Sequence, residues 1–333
     1  METENQKTAI HFRSISQCLG DIITHSPMKY PTNMKVLDQA LGGGFTAGLY
    51  VLGAIPNLGK STFALQLANQ FSTSGIPVLF FSLEMPEQRL LSKLISQELY
   101  IDEKRTNYTS DQIISSYGKE EQLTKEVDFI MEKKQDDWSK IYIIEQASSA
   151  KDIQDIVIEF CETHAKEIKS LEGKKEKNMV VIVDYLQLLN SPTPVQWAQS
   201  NKAILDENIR YLKKMSMNFP VLLISSLNRD QYDEPASLKG FKESGSIEYT
   251  ADVALTMDFS AAKIQKKKMD MNVEKNKDPR EIDLTILKQR YGRSGGDPIQ
   301  YHYYAAYDYF EEVGSAVNSF DKMYQHLPLL RFY

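Results

Sequence analysis

GLYVLGAIPNLGKSTFALQLANQFS, residues 48–72, passes from an apolar run through a short turn into an amphipathic stretch. LYVLG reads as a strand, STFALQLANQFS as a helix that Gly75 closes, and AIPNLGKS as the turn between them. A turn in this context is a phosphate-binding P-loop. Backbone N–H groups of the turn and of the helix start point at a β-phosphate, and Gly59 permits its close approach. Lys60 supplies a point charge to the β- and γ-phosphates and Ser61 a hydroxyl to Mg²⁺. The candidate nucleotide contacts are therefore Ala54, Pro56, Asn57, Leu58, Gly59, Lys60, Ser61 and Thr62. In the pattern GxxxxGK[ST] the first glycine falls on Ala54, and Gly53 lies one place earlier. A chance turn before a helix is the competing reading, and the flanking pattern weighs against it.

Outward from this turn, short apolar runs alternate with amphipathic stretches. IPVLFFSLE (76–84), KIYIIE (140–145), NMVVIVDYLQLL (178–189) and FPVLLISSL (219–227) are too short for buried helices and rich in β-branched residues. They read as strands covered on both faces, in a mostly parallel central sheet with helices on either side. Near the end, ADVALTMDF (251–259), EIDLTILKQR (281–290) and PIQYHYYAAY (298–307) read as antiparallel strands added to the sheet edge, the last two as a hairpin across GRSGGDP. The fold class is α/β.

Two strand ends carry acids. Glu84 comes at the carboxyl edge, where open α/β sheets bind ligands, and a carboxylate there can orient an attacking water. Its alternative is an acid beside the helix start that Pro86 and Glu87 announce. Asp184 follows five apolar residues, the arrangement in which an acid at a strand tip holds the water shell of Mg²⁺.

The chain has 333 residues, 42% hydrophobic and 25% charged, and a formal charge of -6. Such a composition supports a large core and gives no general basic field, so any nucleic-acid contact has to be local. Cys18 and Cys161 are the two cysteines, far apart and in no metal spacing, as in a reduced cytoplasmic protein. No apolar run approaches the roughly 20 residues that span a bilayer, and no partner membrane is expected. Residues 10–26 have apolar positions at helical spacing before Pro27, a short helix that docks either on a neighbour or on its own core. The lysine-rich stretches 164–178 and 261–281 read as solvated loops or frayed helix ends. The division that follows is an amino-terminal segment (1–29), one large domain (30–313) and a tail (314–333).

Six collinear stretches resemble the carboxyl-terminal ATPase domain of DnaB-type replicative helicases, a RecA-like fold: GLYVLGAIPNLGKSTFALQLA, VLFFSLEMP, VVIVDYLQLL, SSLNRD, FKESGSIEYTADVAL and LKQRYGRSGG. They cover about residues 32–312. The family also has Ala at the first P-loop position. The resemblance implies ATP and Mg²⁺ as cofactors, with Lys60 and Ser61 on the nucleotide and metal, Glu84 as catalytic base and Asp184 as the metal-holding acid. It further implies that Lys288 and Arg290 reach the nucleotide of an adjacent subunit in a ring-forming homo-oligomer, a hexamer. Without it, these two would read as exposed strand cations. Lys242, Glu243, Gly245 and Ser246 look like the loop that holds phosphates of single-stranded DNA, the alternative being a polar loop that caps the next helix.

This chain departs from the family pattern at three places. Ser226 stands where members carry a Gln, which implies weakened or rerouted coupling between hydrolysis and DNA. Lys242 replaces an Arg and loses the bidentate fork. About 30 residues precede the motor domain, so the collar that binds primase is expected to be absent and a separate primase or loader chain to supply its role. The function implied is an ATP-driven translocase or helicase on single-stranded DNA in replication. A recombinase-like or regulatory DNA-dependent ATPase, and a nucleotide-gated scaffold, remain open at this stage.

Overall fold

A computed structural model of the chain describes residues 27–166, 168, 178–192, 200–228, 237–241, 245–260, 271–292, 295 and 297–314. The helix expected over 10–26 and nearly all of the 314–333 tail lie outside the described residues. So do residues 261–270 of the lysine-rich stretch, which resumes as a short helix at Met271–Lys275.

The run that opens the P-loop forms β1 (Gly48–Ala54), buried along its whole length. β2 (Val78–Ser82), β3 (Ile141–Ile144), β4 (Val180–Asp184) and β5 (Pro220–Ser226) complete the parallel part as expected. β6 (Val253–Phe259) differs from the expectation: it pairs with β1 in parallel, from Tyr50↔Val253 to Ala54↔Met257, and is not the first antiparallel strand. The antiparallel edge starts with β7 (Arg280–Gln289), continues through β8 (Ile299–Tyr304) and ends on β9 (Tyr309–Glu312). Among the described residues the sheet has nine strands, in the order β3-β2-β4-β5-β1-β6-β7-β8-β9.

Because successive side chains point to opposite faces, β1 feeds two cores. Tyr50 and Leu52 face one core, with Leu37 of α1 (Lys35–Ala40), Phe63 and Leu67 of α2 (Lys60–Thr73), and Tyr301 and Phe310 of the edge strands. Leu49 and Val51 face the other. There they meet α6 (Ala150–Thr163), α7 (Asn201–Met215) and α8 (Gly245–Thr250) through Ile153, Ile209 and Ile247. Each such fully buried Leu or Phe contributes about 1.5–3 kcal/mol of transfer free energy. Between β2 and β3 the chain builds a satellite of α3 (Glu87–Ile101), α4 (Ser110–Ser116) and α5 (Glu121–Trp138) around Ile95, Leu99, Ile113, Leu123, Val127 and Ile130. Trp138 ties it to α2 by donating from Nε1 to Asn69 Oδ1 at 2.9 Å. Met271–Lys275 forms the short helix α9.

Helix ends show what the sequence spends its polar residues on. α4 and α6 begin with capping boxes, Thr109 with Gln112 and Ser149 with Asp152. α1 has its first amides capped from β9, where Glu312 accepts from Val36 and Leu37 N–H at 2.8 and 3.0 Å. α2 ends at Gly75, whose φ of +78° turns the chain while Ile76 N–H returns to Phe71 O at 3.0 Å. At its other end α2 has Gly59 as N-cap and no side-chain cap, which leaves first-turn amides open to a ligand.

Candidate nucleotide site

The carboxyl ends of β1, β2 and β4 converge on a cleft of about 830 Å³. Pro56, Asn57, Gly59, Lys60, Ser61 and Thr62 line it together with Glu84 and Asp184, so the structure brings the sequence-predicted turn and both acids to one place. Asn57 and Gly59 bend the turn with φ of +69° and +82°. Gly59 is required for a second reason: a Cβ there would lie 2.9 Å from Phe310 Cζ and from the Tyr303 ring. Those rings stack at 4.1 Å directly behind the turn. Ala54 and Leu58 are fully buried and act on the turn from inside the core.

Ser82 and Asp184 are register partners on β2 and β4, which sets Glu84 two residues beyond the strand tip. Glu84 is exposed to the cleft, and α3 starts only at Glu87. Asp184 is 1% exposed, and among the described residues neither carboxylate oxygen has a hydrogen-bond partner. Burial pushes its pKa up to about 6; the facing Ser61 hydroxyl and Lys60 hold it down, and Glu84 adds to the rise. Lys60 is lowered by burial, opposed by Asp184 and Glu84. A buried carboxylate with unclaimed oxygens opposite a serine hydroxyl fits a small, hard divalent cation that takes its other ligands from phosphate and water. Among the described residues no group of three or more His, Cys, Asp or Glu side chains forms a separate metal cage.

Sequence reasoning does not find the far wall of this cleft. Arg280, Tyr303 and Asp308 enter from the antiparallel edge, and Arg89 and Lys93 from α3. Arg280 donates to Asn57 O at 3.1 Å. Asp308, 3% exposed and at φ +55°, pairs with Lys93, and its backbone oxygen accepts from Gln97 Nε2. The Thr62 hydroxyl lies 3.5 Å from Asp308 Oδ1 and turns toward this pair. Nothing local marks these residues. Arg280, Tyr303 and Asp308 are far from the P-loop in the chain, and only the β7–β9 edge folding over α2 brings them in.

Lys288 and Arg290 do not line this cleft. β7 begins beside it at Arg280 and runs antiparallel to β6, so its end, Gln289 opposite Val253, lies toward the other edge of the parallel strands. The side chains fold onto the carboxyl end of α8: Lys288 Nζ donates to Glu248 O and Ala251 O at 2.7 Å each, and Arg290 Nη2 to Tyr249 O at 2.8 Å. Lys242 and Glu243 lie outside the described residues. Gly245 and Ser246 open α8, with the Ser246 hydroxyl donating to Asp206 Oδ1 at 2.6 Å. Ser226 does line the cleft, and its N–H is held by Gln187 Oε1 at 3.2 Å.

β5 stands between the strand that carries the turn and the strand that carries Asp184, with Glu84 beyond β2. This arrangement defines a RecA-like P-loop nucleotide-binding domain. The chain belongs to the DnaB-like helicase C-terminal domain family, whose model matches residues 30–312. Among curated proteins it is similar to the replicative DNA helicase DnaB of Treponema pallidum, 22% identical over 89% of this chain and 61% of that one. It is also similar to the replicative DNA helicase DnaB of Leifsonia xyli, 28% identical over 79% of this chain and 51% of that one. The chain thus spans between half and two thirds of the length of these relatives. Among solved structures, one of an ATPase domain on its own superposes with a TM-score of 0.71 at 21% identity, over 91% of this chain and 100% of that one. A DnaB-like replicative helicase, solved in a study of its interactions with primase, gives 0.68 at 20% identity, over 90% and 68%. Among the described residues no helix is long and apolar enough to cross a membrane.

Proposed function

We propose that this chain is the ATP-hydrolysing motor of a ring-forming DNA helicase that moves on single-stranded DNA during replication. The observation that carries the reading is the meeting of Lys60, Ser61, Glu84 and Asp184 in one cleft at the carboxyl edge of the sheet. ATP lies with its phosphates on the open amides of α2, and Lys60 leaves the carbonyls it now binds to meet the β- and γ-oxygens. Ser61 and Asp184 hold Mg²⁺, which when bound neutralises phosphate charge. Glu84, exposed to the cleft, orients the attacking water and takes up its proton as the γ-phosphoryl departs.

Lys288 and Arg290 lie away from the cleft of their own chain, so any contribution to hydrolysis has to be made to a neighbouring copy. Head-to-tail contacts of that kind close a ring, here a hexamer in the cytoplasm. The 242–246 loop grips DNA phosphates through Lys242 and through the α8 amides at Gly245 and Ser246, and a separate primase or loader joins the ring. ATP hydrolysis measured with and without single-stranded DNA, alongside the oligomeric state, tests the whole reading. Stimulation by DNA in the assembled ring is expected; turnover indifferent to DNA refutes it.

A further inference from the structure

Lys288 and Arg290 stand two positions apart on and just beyond β7, and they are held in different ways. The three donors of the Lys288 ammonium meet three carbonyl oxygens at the carboxyl end of α8: Glu248 and Ala251 at 2.7 Å and Tyr249 at 3.4 Å. Lys288 is thereby saturated, and it satisfies the carbonyls that a helix end leaves open. Arg290 uses one edge of its guanidinium. Nη2 donates to Tyr249 O at 2.8 Å and Nε lies 3.6 Å from Asp252 Oδ1. Among the described residues Nη1 has no partner, and the side chain is 38% exposed.

Asp252 is fixed from behind. It is 5% exposed, and its Oδ2 accepts from Leu49 N–H at 2.7 Å and pairs with Lys213. Its backbone bonds β1 on one side, Asp252 N–H to Leu49 O at 2.8 Å, and accepts from Arg290 N–H on the other, also at 2.8 Å. Among the described residues Oδ1 has no hydrogen bond, and it faces the Arg290 Nε at 3.6 Å.

We propose that Asp252 is the positioning residue of Arg290. The Tyr249 carbonyl takes the hydrogen bond of the inner guanidinium edge and the Asp252 carboxylate faces that edge at ion-pair distance, which leaves the outer Nη1/Nη2 fork for the phosphates of a neighbouring copy's nucleotide, while Lys288 serves as the cap of α8. The inference rests on the reading of Arg290 as a residue that completes a neighbour's site. An arginine free to rotate loses about 2 kcal/mol of rotamer entropy when it is ordered. Anchoring one edge on the scaffold removes much of that loss before the phosphate arrives, and bidentate phosphate binding needs the fork already aimed. Asp252 reaches both the sheet and the arginine, so it transmits the rigidity of β1 to a side chain at the surface.

The test is a double-mutant cycle on the full chain, read as steady-state ATP hydrolysis with oligo(dT) on material of measured oligomeric state. Arg290→Ala is expected to lower kcat about 100-fold with KM within about twofold. Asp252→Asn keeps an oxygen for Leu49 N–H and is expected to lower kcat about 10-fold, again with KM unmoved. In the double variant the second change adds less than about twofold, because its effect passes through Arg290. Wild-type turnover in Arg290→Ala overturns the reading of Arg290 and the inference with it. A slow Arg290→Ala to which Asp252→Asn adds its full factor leaves that reading standing and overturns the positioning role. Arg290→Lys needs no change at position 252: it keeps the charge but cannot make both inner contacts, so it stays within about threefold of Arg290→Ala. Recovery of wild-type turnover in Arg290→Lys overturns the proposal.

Discussion

The Lys60 ammonium donates to the carbonyl oxygens of Ala54 and Ile55 at 3.2 Å each, so the phosphate turn is closed on its own lysine. Burial lowers the Lys60 pKa while Asp184 and Glu84 favour the charged form, and the cation is held ready at the site of the phosphates. Lys60→Ala removes two weak bonds and one charge. Stability is expected to change by no more than about 1 kcal/mol in denaturant titration. ATP turnover is expected to fall at least about 100-fold. Turnover near wild type would show that the cleft does not act on phosphates.

Asp184 links pH to stability. Its folded pKa is raised from 3.8 to about 6, so between these values the folded chain holds a proton that the unfolded chain has lost. The stabilisation from the protonated carboxyl is complete below about pH 4 and is lost as pH rises through about 6. Asp184→Asn carries no charge to bury. It is expected to exceed the parent in stability by roughly 2–3 kcal/mol at pH 7.5 without nucleotide, and to match it at pH 4. Mg²⁺ with ATP is expected to narrow or reverse this order, because it stabilises the parent more than the variant. Equal pH profiles for the two proteins in denaturant titration would refute the assignment.

Glu84 is exposed, and removing its charge leaves no buried group unpaired. Glu84→Gln is expected to bind a fluorescent ATP analogue within about threefold of the parent while kcat falls about 100- to 1,000-fold. Loss of affinity equal to the loss of turnover would make Glu84 a binding residue.

The parts of this site legible in the sequence are those that depend on neighbours along the chain. The turn at residues 54–61 follows a strand and opens a helix, and Glu84 and Asp184 end apolar runs, so strand direction alone sends all three to one edge. A seven-residue apolar strand such as β6 has no mark of its direction; its parallel pairing follows from which strand it finds, namely β1. β9 escapes a reading of the sequence because Tyr309-Phe310-Glu311-Glu312 has no apolar run, although Glu312 is fixed by capping α1 and Phe310 by stacking on Tyr303. Arg280, Lys93 and Asp308 depend on contacts between segments far apart in the chain, which no local pattern carries.

Gly59 shows how tightly the turn and the distant edge are fitted. Gly59→Ala would force φ +82° on a residue with a Cβ and push that atom to 2.9 Å from Phe310 and Tyr303. Strain and displaced rings together are expected to cost about 2–4 kcal/mol in denaturant titration. Gly75→Ala is the control: its φ of +78° is comparable but a Cβ there meets nothing within 4 Å. It should cost only about 1–2 kcal/mol. Equal losses would mean that the aromatic stack does not press on the turn.

Ser226, one of the three departures from the family pattern, tests the proposed link between hydrolysis and DNA most directly. It lines the cleft at the tip of β5, and the next residues lead toward Phe241 and the proposed DNA loop through the Leu227–Phe241 bridge. Its backbone is fixed independently of its side chain. Gln187 accepts from Ser226 N–H at 3.2 Å and donates to the Ser225 hydroxyl at 2.9 Å. A longer side chain at 226 therefore extends into the cleft without disturbing that brace. Ser226→Gln restores an amide that can reach both a γ-phosphate and the loop side of the cleft. It is expected to leave DNA-free hydrolysis within about twofold and to raise the DNA-stimulated rate about three- to tenfold, each tenfold corresponding to about 1.4 kcal/mol of barrier. Stimulation unchanged by the substitution would mean that coupling in this chain no longer passes through the tip of β5.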